Sequence, residues 1–261
     1  MASNAFVNDA RVMAKGQITI PKNVRTVLGV ESGDRVTFIV DGSDVRVVNS
    51  AVYALMRFQE QMGGEGEKVG LFSEEDVESW ITHSRRMENN VYVCIHIKWI
   101  QTVLAQPRRG VPDRREGFAP LSLSGAKGMR IMIDTNIFIS AALFPKGRAA
   151  EALYKTLASP YQPVVCDYVI DELHRKFQEK FPDRTEELEA FLYTALPAFD
   201  VVTTPEEAVD AESEIRDPRD RPILRAALNA GADLFLTGDK DFLESSVKDP
   251  RIVSVSTFLE M

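Results

Sequence analysis

Five short apolar runs in the second half of the chain alternate with segments of helical periodicity. The runs cover residues 129–133, 161–166, 199–202, 233–236 and 252–255, and the helical patterns fall near 148–158, 168–180, 184–195, 205–213 and 220–230. Apolar runs of this length are typical of strands buried on both faces, and their alternation with helices favours a parallel sheet. The sequence therefore predicts an α/β domain over residues 129–261.

Four acidic residues occupy the positions where such a sheet presents its ligands. Asp134 and Asp239 follow predicted strands, Glu172 lies one turn into a helix, and Asp220 begins another helix. Because the carboxyl ends of parallel strands share one edge, we expect the four carboxylates to converge there. Carboxylates that close repel one another unless a cation lies between them, so the sequence predicts a hard divalent metal, Mg²⁺ or Mn²⁺. The 24 acidic against 15 basic residues of this segment agree with that prediction.

Residues 1–50 have a different pattern. Short strands are predicted at 11–13 and 17–20 around a Lys15-Gly16 turn, followed by a helix after Pro21 and a hairpin at Asp41-Gly42. Residues 1–30 hold four basic side chains against Asp9 alone, so a basic face is available although the whole chain has a net charge of −8. A unit of about 45 residues buries little core by itself, which predicts dimerisation.

Residues 51–86 carry two helical apolar stripes, over 51–62 and 74–86, separated by glycines. Such stripes predict docking onto another surface, or alternatively packing on the small β unit. A basic residue from this tail could enter the acid cluster and compete with metal, and the candidates are Lys68, Arg85 and Arg86. The proline-rich and polar composition of residues 87–128 indicates a linker or fusion seam. That linker permits docking within one chain or between the chains of a dimer.

The acidic segment resembles the PIN-domain nucleases over residues 129–261. The motifs that carry the resemblance are Ile133-Asp134-Thr135-Asn136, Asp171-Glu172-Leu173, Asp217-Pro218-Arg219-Asp220 and Leu236-Thr237-Gly238-Asp239-Lys240-Asp241. The resemblance implies that Asp134, Glu172, Asp220 and Asp239 bind metal for RNA hydrolysis. Asn136, Asp217 and Asp241 are implied auxiliaries. Asp220 is preferred to Asp217 because the apolar spacing that follows places Asp220 at the helix start.

The first fifty residues resemble the AbrB/SpoVT family of swapped-hairpin DNA-binding domains. The motif runs from Ala14-Lys15-Gly16-Gln17 through Ile18-Thr19-Ile20-Pro21 to Arg25, Leu28-Gly29 and Gly33-Asp34. The resemblance implies a small dimeric β barrel that contacts operator DNA through basic and polar side chains. The residues implied are Arg11, Lys15, Gln17, Thr19, Lys22 and Arg25.

Together the two halves resemble a VapB-type antitoxin fused to a VapC-type toxin. The resemblance implies a Mg²⁺-dependent endoribonuclease that its own N-terminal region inhibits and that autoregulates its operon. The alternative is a DNA-binding repressor whose nuclease domain is inert or permanently blocked. We expect a homodimer or higher oligomer formed through both domains, with RNA and operator DNA as partners. No apolar segment long enough for a membrane span occurs, so a cytoplasmic location without membrane partners is expected.

Overall fold

The computed structural model describes residues 6–31, 33–87 and 128–261. Its N-terminal region contains α1 (Lys22–Leu28), β1 (Val36–Asp41) and β2 (Asp44–Asn49). The two strands form an antiparallel hairpin, and Gly29 ends α1 in the left-handed conformation (φ 62°), which favours glycine. The predicted linker, residues 87–128, lies outside the described residues except at its two ends.

The predicted first hairpin exists only as a turn. Lys15 and Gly16 both have positive φ, 65° and 75°, and the Met13 N–H donates to the Gln17 carbonyl at 2.7 Å. A 3₁₀ turn spans Ala14–Gly16, and no strand flanks it among residues 6–21. The strands predicted at 11–13 and 17–20 were therefore wrong for a single chain, which supplies these segments with no neighbouring sheet edge to pair with.

The tail contains α2 (Ser50–Gln61), α3 (Glu65–Lys68) and α4 (Glu74–Met87). At the start of α4, Ser73 and Asp76 form a reciprocal capping box: the Asp76 N–H donates to Ser73 Oγ and the Ser73 N–H donates to Asp76 Oδ2. The cap fixes the start of α4 at Glu74.

The tail packs on the C-terminal domain. The ring of Phe58, from α2, stacks on Phe177 and Phe191 with centroids 5.7 and 4.8 Å away. Gln59 donates a hydrogen bond to the Ala141 carbonyl at 2.8 Å, and its side chain is buried. Apolar residues of α4 join the same core. The two predicted stripes are therefore the faces by which the tail contacts the C-terminal domain.

The C-terminal domain alternates strands and helices. The strands are β3 (Met129–Ile133), β4 (Tyr161–Cys166), β5 (Asp200–Val202), β6 (Leu234–Leu236) and β7 (Arg251–Val253). The helices are α5 (Thr135–Leu143), α6 (Arg148–Thr156), α7 (Asp167–Lys180), α8 (Thr185–Ala195), α9 (Arg221–Asn229), α10 (Lys240–Leu243) and α11 (Val255–Glu260).

All five strands are parallel and lie in the order β5-β4-β3-β6-β7. The chain moves from β3 to β4 on one side and reaches β6 on the other, so the strand order reverses beside β3. Ligand sites of open parallel sheets form at such a reversal, outside the carboxyl ends of the strands. The predicted α/β fold is confirmed. Among the described residues, no helix has the length and apolar character needed to cross a membrane.

Two segments differ from the helix pattern predicted by the sequence. Helix α5 was not predicted, and all nine of its residues are buried, so it lacks the polar face that periodicity detects. The helix predicted at 205–213 was wrong, because only Asp210–Glu214 forms a 3₁₀ turn there. Arg225 donates hydrogen bonds to the carbonyls of Pro205 and Glu206, at 2.8 and 3.1 Å. These contacts hold the start of the 205–213 segment outside a helix.

Candidate active site

The four acidic residues selected from the sequence lie together at the carboxyl edge of the sheet. Asp134 follows β3 and Asp239 follows β6, and these strands are hydrogen-bonded neighbours. Glu172 projects from the second turn of α7, and Asp220 precedes α9. Each of the four residues is at most 1% exposed. Four carboxylates thus share one site that excludes water.

Two threonines orient these carboxylates. Thr237 donates its hydroxyl to Asp134 Oδ2 at 2.6 Å and accepts the Asp239 N–H at 2.9 Å. Thr135 donates its hydroxyl to Glu172 Oε2 and its N–H to Asp134 Oδ1, the latter at 2.8 Å. Sequence reasoning did not select either threonine. The available signal was a hydroxyl side chain within two residues of an acid at a strand end.

A guanidinium from the tail lies between the four acids. Arg85, on α4, is 1% exposed. Its Nε and Nη2 lie 2.7 and 2.6 Å from the two oxygens of Glu172, and Nη2 also lies 2.9 Å from Asp134 Oδ1. Its Nη1 lies 2.8 Å from Asp220 Oδ1 and 3.5 Å from Asp239 Oδ2. One monovalent cation therefore faces all four buried carboxylates.

Arg85 stabilises the charged forms of the four acids to different extents. Burial alone would raise the pKa of Glu172, but the charge and hydrogen bonds of Arg85 outweigh burial and bring that pKa down to about 2. Among the described residues, neither buried Asp220 oxygen has a hydrogen-bond partner, because the nearby Nη1 is poorly aligned with them. Burial, reinforced by Asp239, raises the pKa of Asp220 to about 8 although Arg85 opposes the change. Asp220 is thus the least satisfied member of the cluster.

Two of the four acids, together with Asp241, have the composition of a divalent-metal site. Asp220, Asp239 and Asp241 each offer an oxygen, and these three oxygens lie within 4.8 Å of one another. Hard oxygen donors suit Mg²⁺ or Mn²⁺, and the unsatisfied oxygens of Asp220 are acceptors that a metal would use. The residues present therefore fit a divalent metal.

The auxiliary residues lie around this cluster. Asp241 is 4% exposed and pairs with Arg86 and Arg216, each at 3.2 Å. Asn136 lies beside Gly238, whose N–H is 3.5 Å from Asn136 Oδ1. Asp217 instead shapes the turn before α9, since its Oδ1 accepts the Arg219 N–H at 3.0 Å.

The tail contributes two further polar groups that sequence reasoning did not select. Thr82 donates its hydroxyl to Asp239 Oδ2 at 3.0 Å, from the turn before Arg85. Glu78 lies near Gly238, and burial followed by the charge of Asp239 raises its pKa to about 7. Thr82 lies one turn and Glu78 two turns before Arg85, so all three share one helix face, which was the available signal for both.

Of the three basic residues predicted as candidates for the cluster, only Arg85 lies inside it. Arg86 reaches Asp241 at the rim and is largely exposed, with 55% of its side chain accessible. Lys68 lies away from the cluster, where it pairs with Glu65 at 2.9 Å and is 66% exposed. The prediction that Lys68 could enter the acid cluster was therefore wrong, because Lys68 pairs with Glu65 of its own short helix, α3.

The residues implied in DNA binding are nearly all exposed. Five of them are exposed to solvent: Arg11, Lys15, Gln17, Thr19 and Lys22. Arg25 is partly buried and donates from Nη1 to the Ile20 carbonyl at 2.8 Å, so it also holds the start of α1 against the preceding segment.

Comparisons with known proteins match the two halves separately. Residues 130–241 match the family model described as "PIN domain", and residues 10–49 match "Antidote-toxin recognition MazE, bacterial antitoxin". The structure search finds a Rickettsia felis chain described as VapBC2 bound to a DNA fragment from its promoter, at 17% identity and a TM-score of 0.39. That match covers 48% of this chain and 98% of the other. The comparison with curated proteins finds no match.

Proposed function

Because the chain joins a MazE-type antitoxin domain to a PIN domain, we propose that it is a metal-dependent endoribonuclease toxin fused to its DNA-binding antitoxin. In this proposal the tail inhibits the nuclease, and the N-terminal domain binds the operator of its own gene. The observation that carries the proposal is the position of Arg85 among Asp134, Glu172, Asp220 and Asp239. A guanidinium there competes directly with a metal for the same oxygens.

The proposed metal ligands are the four carboxylates, with Asp241 at the rim. A bound divalent metal would polarise the RNA phosphodiester and lower the pKa of an attacking water. The chain's own residues supply the preorganisation. Thr237 keeps Asp134 oriented through its hydroxyl, and Thr135 does the same for Glu172. Their positions on the ends of rigid strands and helices keep the ligand set in place while substrate binds.

The proposed DNA-binding unit is a dimer. Large apolar side chains of the N-terminal domain are exposed in the single chain, among them Val12, Ile18, Val27 and Phe38. An apolar surface of this kind on so small a domain favours a second copy as its cover. Lys15, in the turn with Gly16, is exposed and offers a basic side chain for phosphate contact.

The test is removal of Arg85 from the full chain. In Arg85→Ala the four carboxylates lose their cation, so we expect Mn²⁺ binding by calorimetry and metal-dependent cleavage of a labelled single-stranded RNA, both stronger than in the parent. Arg57→Ala is the matched control, because Arg57 lies on the same tail, is 54% exposed at its side chain and pairs with the exposed Glu60.

The alternative function, a repressor with an inert nuclease domain, makes a different prediction for the same protein. A folded Arg85→Ala chain that binds Mn²⁺ and cleaves no RNA would favour this alternative. A folded variant that binds no Mn²⁺ would argue against the metal site itself.

A further inference from the structure

A buried lysine lies beside the acid cluster and is not among the proposed metal ligands. Lys176 is on α7, one turn after Glu172, and is 0% exposed. Residues four apart share one face of a helix, so Lys176 and Glu172 lie on the same side of α7. The charge of Lys176 also acts on the Glu172 carboxylate, in the same direction as Arg85. Lys176 is therefore a second cation beside Glu172, at one side of the acid cluster.

The tail covers Lys176 and Glu172 with consecutive residues. Lys176 Nζ donates a hydrogen bond to Ser84 Oγ, and the adjacent Arg85 binds both oxygens of Glu172. Glu179, on the same helix as Lys176, lies 3.8 Å from Nζ. Departure of α4 would uncover the lysine and the acid cluster together.

A lysine is a costly residue to bury under a docked helix. Moving an ammonium out of water carries a large desolvation cost, whereas an apolar side chain of similar length would pack against α4 without it. Its ammonium is buried with Ser84 as hydrogen-bond partner and with Glu179 3.8 Å away, while the adjacent Phe177 belongs to the stacked aromatic group that receives α2. The free-energy cost in the docked state points to a use for the charge in the undocked state.

We propose that Lys176 is a substrate-binding residue of the nuclease, whose ammonium contacts a phosphate oxygen of RNA once α4 has left. An ammonium is a compact charge that binds phosphate without demanding one fixed geometry. Its place beside the carboxylates puts it next to the phosphate that a metal there would hold. The inference rests on the proposed function for the identity of the substrate as RNA.

Lys180 provides a matched comparison on the same helix. It lies one turn beyond Lys176, with Nζ 5.1 Å from the centre of the Trp80 ring and 3.4 Å from the Val69 carbonyl. Both lysines contact the tail, but Lys180 is a further turn away from Glu172. A role in holding the tail would apply to both lysines, whereas a role in RNA binding applies to Lys176.

The experiment uses the full chain opened by Trp80→Ala/Arg85→Ala. Into that opened chain we introduce Lys176→Met, Lys176→Gln, Lys176→Arg or Lys180→Met, and the folding of each is checked by thermal melting. Affinity for a fluorescein-labelled single-stranded RNA is measured by anisotropy in Ca²⁺, over a series of salt concentrations. Cleavage of the same RNA is measured separately in Mn²⁺.

We expect Lys176→Met and Lys176→Gln to bind RNA about tenfold more weakly, with a salt dependence flatter by about 0.7 per lost phosphate contact. Lys176→Arg should retain both the affinity and the slope, and Lys180→Met should change neither. Weaker binding with an unchanged slope would mean that the substitution only favours redocking of the tail, and would overturn the proposal.

Unchanged affinity in Lys176→Met and Lys176→Gln would also overturn it, as would an opened chain that binds no RNA. The two proposals remain distinguishable. RNA binding that depends on Lys176 without any cleavage would contradict the proposed function alone. Cleavage that is indifferent to Lys176, with unchanged RNA affinity, would contradict this inference alone.

Discussion

Arg85 and Glu172 form a two-point ion pair, with Nε 2.7 Å from Oε1 and Nη2 2.6 Å from Oε2. The two residues are 87 positions apart in sequence, and both are buried. A parallel pair of charge-assisted hydrogen bonds fixes direction as well as distance. The pair therefore sets the position of α4 over the sheet edge. The other three acids face the remaining contacts of the guanidinium, Nη2 toward Asp134 and Nη1 toward Asp220 and Asp239.

Loss of Arg85 should destabilise the metal-free protein. Removing one partner from a buried ion pair costs about 3–5 kcal/mol, because the remaining charges are left uncompensated. We expect Arg85→Ala to melt below the parent in EDTA and to recover with Mn²⁺, which replaces the missing positive charge. Differential scanning calorimetry checks both conditions, with Arg57→Ala as the control. Equal melting temperatures in EDTA and Mn²⁺ would show that no metal enters the cluster.

Asp134→Asn should abolish cleavage by the Arg85→Ala chain. The amide removes one negative metal ligand, while its oxygen can still accept the Thr135 N–H and its NH2 can donate to the Thr237 hydroxyl, so the fold is retained. The readout is metal-dependent RNA cleavage, together with a thermal melt. Asp183→Asn, at an exposed position in the 3₁₀ turn that follows α7, controls for loss of one charge. Undiminished cleavage by a folded Asp134→Asn chain would remove Asp134 from the active site.

Phe58→Ala should weaken docking of the tail. Truncation of a buried phenylalanine costs about 3–5 kcal/mol, and here the cavity would open between the rings of Phe177 and Phe191. Urea unfolding should show this loss, and amide hydrogen exchange of α2 should become faster. Met56→Ala, on the same helix but 48% exposed, should change neither measurement appreciably. A similar effect from both substitutions would mean that α2 is not held by this aromatic contact.

Stability should fall as pH rises through neutrality, partly because of Glu78. Its pKa is raised from 4.5 to about 7, so the folded chain holds a proton that the unfolded chain releases. The stabilisation from that proton is complete below pH 4.5 and is lost as pH rises through about 7. Melting temperatures from pH 5 to 8 should fall less steeply for Glu78→Gln than for the parent. Glu60→Gln, at an exposed position, is the control.

Asp220 and Asp239 also have raised pKa values and act in the same direction as Glu78. The comparison therefore concerns the difference in slope between Glu78→Gln and the parent. Parallel curves for the two proteins would exclude Glu78 as a titrating group in this range.

Lys15→Ala should weaken binding to a DNA fragment from the chain's own promoter. If Lys15 contacts one phosphate, the slope of log affinity against log salt should flatten by about one unit. Fluorescence anisotropy over a salt series measures this, and Lys146→Ala, on the surface of the C-terminal domain, is the control. An unchanged slope would mean that Lys15 is only solvated. Arg25→Ala is less informative, because its contact with the Ile20 carbonyl also supports α1.

The parts of the fold that could be predicted are those in which a pattern contrasts with its surroundings. Apolar runs such as 129–133 stand out against polar helices, and strand order then brings Asp134 and Asp239 to one edge. Helix α5 could not be found this way, because burial of every residue erases the contrast. The helix predicted for the acidic segment 205–213 was wrong for another reason. Its conformation depends on Arg225, a distant residue that binds its backbone carbonyls.

The acid cluster could be predicted from sequence position, but the basic residue that lies inside it could not. Three basic residues of the tail were equivalent by charge alone, and only the packing of α4 places Arg85 rather than Arg86 or Lys68 among the carboxylates. The supporting hydroxyls of Thr135 and Thr237 likewise need coordinates, since their role depends on which oxygen each one reaches.

The junction between the N-terminal domain and the tail has no spare residue. Asn49 ends β2 and is also the N-cap of α2, where its side chain accepts the Ala51 N–H at 2.9 Å and donates to the Gly29 carbonyl at 3.1 Å. One residue inserted there would turn α2 by about 100° relative to the strand. Phe58 would then face away from its aromatic partners. The length of this junction thus fixes the rotation of α2 about its axis relative to β2. It is as constrained as any side chain in the acid cluster.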